Sequence, residues 1–98
     1  MNQIRTASVP TQAASLHLKK LCKHFQHKVE VRFTDTEGQI DFKIGRCDLV
    51  ATPDALQVQC SAPTPDELAD VMDTIKRHFD RFAEKEGLVL EWAPARSS

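Results

Sequence analysis

The sequence predicts an α+β fold: a two-layer sandwich in which two helices pack on one face of a mostly antiparallel sheet, in the order β-α-β-β-β-β-α-β. Three observations carry this. Residues 12–26 and a second stretch beginning at Pro65 repeat apolar side chains at helical spacing. The chain between them alternates apolar and polar residues at period two, with turn residues at short intervals. The outward positions of that alternation are Glu30, Arg32, Asp41, Lys43, Arg46, Asp48, Gln57 and Gln59. One sheet face is therefore wet, and the two helical stripes must cover the other.

The elements follow in order. Gln3–Val9 is a strand candidate, closed by the break at Pro10 and Thr11. From about Gln12 to Gln26, Ala14, Leu18, Leu21, Cys22 and Phe25 form one stripe and predict a helix. Val29–Phe33 turns Val29, Val31 and Phe33 to one side, and the polar segment Thr34–Gly38 reads as a hairpin connection. Gln39–Lys43 places Ile40 and Phe42 inward, and Gly45 allows a tight reversal. Arg46–Ala51 then offers Cys47 and Leu49 to the core. The turn TPDA leads into Ala55–Ser61, with Leu56, Val58 and Cys60 on one face. Short connections require these four strands to form an antiparallel meander, since parallel neighbours need long crossovers.

The second helix has the clearest start signal. Thr64 is its N-cap, Pro65 its first residue, and Glu67 completes a capping box. Leu68, Val71, Met72, Ile75, Phe79, Phe82 and Ala83 make its stripe, and Gly87 is the stop. Leu88–Trp92 gives a last strand, with Leu88, Leu90 and Trp92 on one side.

Ninety-eight residues fit a single domain over 1–98, with an ordered core of about 3–93. Apolar residues at 41% and charged residues at 28% are ordinary for a globular chain. No apolar run approaches the roughly 20 residues needed to span a bilayer. The N-terminal MNQIRTASVPTQAA lacks a signal-peptide core, so a cytoplasmic location and no membrane partner are expected. A formal charge of -1 gives no global attraction to nucleic acid. "RHFDRF" interleaves basic and aromatic residues, but Phe79 and Phe82 belong to the core stripe and are not available to stack on bases.

The densest chemistry lies in CKHFQHK, residues 22–28. At about 100° per residue, Cys22 falls inside the apolar stripe and His24 points roughly 160° away from it. One ion cannot be held by both while the helix continues. His24 and His27 would share an ion only near the polar flank, and no HExxH spacing is present. His17, Lys20, His24 and Lys28 line one edge of the first helix; Thr74, His78, Arg81 and Lys85 line a flank of the second, with Arg77 nearby. Such lines read as solvated, dipole-complementing flanks, or as basic, imidazole-rich edges that meet an anion, a metal or a partner. A Cys–His catalytic pair is a third reading of CKHFQHK.

Cys22, Cys47 and Cys60 form an odd set without CxxC spacing, consistent with reduced thiols. All three point toward the core. Cys22 and Cys47 would meet under the first helix and, with a histidine, make a metal corner; burial as small hydrophobes is the simpler reading. No GxSxG, P-loop or GxGxxG is present and there is no tyrosine, so no catalytic residue is assigned and an enzyme is not expected.

"LKKLCKHFQHKVEVRF", "GQIDFKIGRCDL" and "IKRHFDRFAEKEGLVLEW" resemble, in that order, a bacterial family known as domain of unknown function 2218, over about Thr6 to Trp92. Its distinctive pieces are Leu21-Cys22-Lys23-His24, His27-Lys28, and His78-x-x-Arg81-Phe82-Ala83. The chain departs from the pattern with Phe25 where tryptophan is frequent and Lys85 where arginine is frequent. Lysine cannot reproduce a bidentate guanidinium contact, so an anion at position 85 would be held more weakly. Some members are joined to siderophore-interacting, flavin-dependent ferric reductases. The resemblance thus implies an accessory role near iron or siderophore handling, without reductase activity.

The resulting expectation is a non-catalytic binding module for a small ligand, anion or metal complex. Its ligand-binding residues would be His24, His27, Lys28, His78, Arg81 and Lys85, with Cys22 and Cys47 as a metal pair and the cofactor undetermined. The rival expectation is a protein-interaction or homodimerisation module using an edge strand or the charged sheet face.

Overall fold

The computed structural model describes residues 3–84, 87–88, 90 and 92–93. Strand β1 (Gln3–Pro10) leads into helix α1 (Ala14–Phe25). Strands β2 (Glu30–Phe33), β3 (Glu37–Asp41), β4 (Arg46–Ala51) and β5 (Ala55–Ala62) follow, and helix α2 (Pro65–Ala83) comes last. The five strands form one antiparallel sheet in the order β1-β5-β4-β3-β2. The expected meander is therefore present. β1 pairs with β5 over its whole length, from Gln3↔Ala62 to Pro10↔Ala55. To reach β2 at the far edge, the chain must cross the sheet, and α1 is that crossing.

Helix α1 contacts β2 through β5, and α2 contacts β5 and β1. Both lie over the face that carries Val9, Ile40, Cys47, Leu49, Leu56, Val58 and Cys60, all of them buried. Ala14, Leu18, Leu21, Cys22 and Phe25 meet them from α1, and Leu68, Val71, Ile75, Phe79 and Ala83 from α2. Val29, Val31 and Phe33 pack against this core half-buried, as fits residues at or beside edge strand β2.

Several boundaries differ from those the sequence suggests, each for a local reason. Helix α1 begins at Ala14, because the Thr11 hydroxyl accepts a bond from Ala13 N–H (3.0 Å) and holds residues 12–13 in a turn. Strand β3 begins at Glu37, so the β2–β3 connection is only residues 34–36. There the Thr34 hydroxyl accepts from the N–H groups of Thr36 (3.3 Å) and Glu37 (3.1 Å). Ser15 Oγ donates to the Asp35 carbonyl (2.6 Å), and Lys19 pairs with Asp35 (2.9 Å), tying this turn to α1.

Gly38, expected to close a turn, lies within β3 instead. A Cβ there would sit 2.8 Å from Cys22 Sγ, so its bareness lets α1 approach the sheet. The α2 start is also only partly the expected capping box. Thr64 Oγ1 accepts from Glu67 N–H (3.2 Å), while the Thr64 hydroxyl donates a hydrogen bond to the Glu67 carboxylate (3.0 Å).

Of the expected C-terminal strand, the described residues show one antiparallel bridge, Ala7↔Trp92, with Ala93 N–H donating to the Thr6 carbonyl (2.7 Å). Val89 and Glu91 of that expected strand lie outside the described residues, as does the Phe82 side chain of the α2 stripe. Gly87 fulfils its role as a stop: with φ 69° it lets Leu88 N–H reach back to the Ala83 carbonyl (3.2 Å). No described helix is long and apolar enough to cross a membrane.

Candidate functional site at the helix seam

The edges of α1 and α2 meet along a seam, and the seam brings two predicted histidines into contact. His24, in the last turn of α1, places Nε2 2.8 Å from Nδ1 of His78 on α2. The ring centroids are 4.5 Å apart. One N–H lies between the rings, so one imidazole donates and the other accepts. Beneath them the buried Phe25 turns its ring edge-on to His78 (4.9 Å), to His24 (5.4 Å) and to Phe42 (5.5 Å). Consecutive residues of α1 thus supply one imidazole and the aromatic floor under both.

The surroundings are cationic. Burial, and then the charges of His24, Lys28, Arg81 and Arg77, push the His78 pKa below its ordinary 6.5. Arg81 stands one turn beyond His78 on α2. Arg77 is paired with Asp73 (2.9 Å) and Lys76 with Asp80 (2.9 Å). Lys28 and Arg81 are exposed and have no ion-pair partner among the described residues. Their charges add to the field at the seam without a carboxylate among the described residues to neutralise them.

The remaining candidates fall elsewhere. His27 is exposed in the turn after α1 and makes no side-chain contact with the pair among the described residues. Lys85 lies outside the described residues. His17, expected on the same flank as Lys20 and His24, is fully buried. It packs edge-on to Phe79 of α2 at 6.0 Å, because α2 covers that edge of α1.

The three thiols lie in the core beneath the helices. Cys47 pairs across the sheet with Cys60, while Cys22 sits over Gly38 of β3. Burial pushes the Cys22 thiol up to about 11, and the hydrogen bond to Cys60, then burial, raises Cys47 far above its usual range. Thiolates are the metal-binding form, and burial disfavours that form at both positions. No group of three or more His, Cys, Asp or Glu side chains is arranged to hold a metal ion among the described residues. Two shallow depressions lie on the sheet, one lined by Arg32, Gln39, Asp48 and Val50, the other by Ile4, Phe42, Arg46 and Ser61. Neither includes a helix residue.

Sequence spacing placed His24 and His78 on helix flanks; it did not contain the lateral order of the helices, which makes the flanks face each other. The role of Phe25 as a floor was hidden inside the core stripe. The Cys47–Cys60 pair had a usable signal: counting equally outward from the turn between Ala51 and Leu56 sets the two cysteines opposite each other.

No curated protein matches the chain. The NMR structure of PA4090 from Pseudomonas aeruginosa is similar, at 37% sequence identity and TM-score 0.79, covering 97% of this chain and 99% of that one. The model of a bacterial family matches residues 6–93, which include the whole histidine seam. The chain therefore belongs to the family described as "Uncharacterized protein conserved in bacteria (DUF2218)".

Proposed function

We propose that this domain is a non-catalytic binding module for a small anionic ligand, held at the seam by His24, His78, Lys28 and Arg81. The observation that carries the reading is the direct His24–His78 hydrogen bond of 2.8 Å, set among cations that have no carboxylate partner among the described residues. Exposed cations gathered on one seam raise the local concentration of anions there. Arg81 can grip a carboxylate or phosphate bidentately, and Lys28 adds a point charge. Anionic metal complexes fall in this ligand class, and the siderophore setting implied by the resemblance is a natural source of them. The thiols of Cys22 and Cys47 are weaker candidates, because both are buried and burial disfavours the thiolate.

The test is an amide and imidazole NMR titration with inorganic phosphate and with citrate at fixed ionic strength. Saturable shifts on residues 24–28 and 78–81, weakened at least fivefold in Arg81→Ala, are expected. Equal responses in wild type, Arg81→Ala and His78→Ala would remove the reading.

A second reading, homodimerisation through a sheet edge, has one observation in its favour: β2 ends the strand order, and its outer side has no strand neighbour among the described residues. β2 is only four residues long and exposes Glu30 and Arg32, features that discourage edge pairing. A mass that doubles with concentration and ignores His24→Ala and His78→Ala would favour this reading over the first.

A further inference from the structure

We propose that the His24–His78 pair is a two-nitrogen clamp for a coordinatively unsaturated metal chelate, taking the metal on the two facing imidazole nitrogens and the chelator's carboxylates on Lys28 and Arg81. This rests on the anion-binding reading above and names its ligand class.

The spacing brings two nitrogens within reach of one ion. Two imidazole nitrogens each about 2.0–2.1 Å from one ion lie about 2.9 Å apart at a right angle, and about 3.4 Å apart at a tetrahedral angle. The observed 2.8 Å separation of His24 Nε2 and His78 Nδ1 matches adjacent positions of an octahedral or square-planar ion. An ion at about 2.0–2.1 Å from both nitrogens sits beside the line that joins them, so the rings tilt toward it as the hydrogen bond between them opens. The proton of that bond need not leave the protein: the donating ring shifts its N–H to its other nitrogen, and both rings enter as neutral ligands.

The charge selects the chelate. Two imidazoles are too few to hold an ion firmly, and no third His, Cys, Asp or Glu joins them among the described residues. A bare divalent ion would add positive charge beside Lys28 and Arg81. A polycarboxylate chelate instead arrives with net negative charge, supplies the missing ligands, and leaves adjacent positions open for the imidazoles. Lys28 and Arg81 are then attractive rather than repulsive.

The experiment uses the full chain without a polyhistidine tag. Nickel nitrilotriacetate, which leaves two adjacent coordination positions open, is titrated and paramagnetic broadening of amide and imidazole signals is read. Nickel ethylenediaminetetraacetate, whose coordination is filled, metal-free nitrilotriacetate and inorganic phosphate are the comparison probes. Saturable broadening centred on His24 and His78 is expected, with at least tenfold weaker binding of the filled chelate and at least tenfold loss in His24→Ala and in His78→Ala. Both side chains lie at the surface seam, and retained amide dispersion verifies that the variants fold. Equal binding of the open and filled chelates overturns the clamp, as does nickel nitrilotriacetate binding unchanged in both variants. If phosphate or metal-free nitrilotriacetate still binds at the seam in that case, the anion-binding reading survives alone. If none of the probes binds there, both fail.

Discussion

His78 is shared by three neighbours: the His24 imidazole, the Phe25 ring and the positive charges of Arg77 and Arg81 on its own helix. Burial favours the uncharged imidazole, and repulsion by the charges of His24, Lys28, Arg81 and Arg77 adds to it. The folded pKa of His78 lies below 6.5, so the unfolded chain binds this proton first as the pH falls. The stability contributed by the neutral group is therefore complete above pH 6.5 and is lost as the pH drops through the folded value. Urea unfolding of wild type and His78→Asn at several pH values between about 8 and 5 should show a shallower acid loss in the variant. Parallel pH profiles would mean that His78 is not a depressed group. In His24→Ala, the imidazole signal of His78 should titrate closer to the ordinary 6.5, because a cationic neighbour has gone.

Helix α1 is held close to the sheet, and the site depends on that closeness. Cys22 Sγ occupies the space above Gly38, with Leu18 and Leu49 at 3.4 and 3.5 Å from where a Cβ would stand. Gly38→Ala should cost about 1–3 kcal/mol by overpacking. In a Cys22→Ala background the cost should fall by more than half, because the colliding sulfur has gone; urea unfolding of the four proteins measures this coupling. Equal costs in both backgrounds would place the strain elsewhere. At the start of α2, Thr64→Ala removes an acceptor for Glu67 N–H and should cost about 1 kcal/mol in the same assay. These elements were legible in the sequence where a local rule defines them. Arg46–Ala51 and the Thr64-Pro65 helix start appear where period and capping place them. The beginnings of α1 and β3 were less legible, because the Thr11 and Thr34 hydroxyl bonds that reshape those turns leave no periodic trace.

Across the whole molecule, strand order decides what becomes a site and what becomes core. Placing β1 beside β5 sends α1 across the sheet and leaves α2 to cover β5 and β1, so the helix edges must meet. One edge of α1 then holds a fully buried His17 and an exposed His24 seven residues later, although sequence spacing treats the two alike. The site was thus legible as a set of residue types but not as a contact, because the lateral order of elements is a tertiary property. The same order gathers the three cysteines from α1, β4 and β5 under the helices, each with no exposed surface. Local fraying at an edge strand or a helix end does not uncover residues on the central strands, so their thiols should become reactive only through large-scale opening. A thiol-specific alkylating agent applied to the native protein should therefore leave Cys47 and Cys60 unmodified over times that fully label an unfolded sample. Their labelling should accelerate in step with unfolding as urea is raised. Adding a chelator to the native protein should change nothing, since packing and not an ion protects them. Rapid labelling at Cys22 and Cys47 after chelation alone would instead show that an ion had protected them, and would move the metal chemistry from the seam into the core.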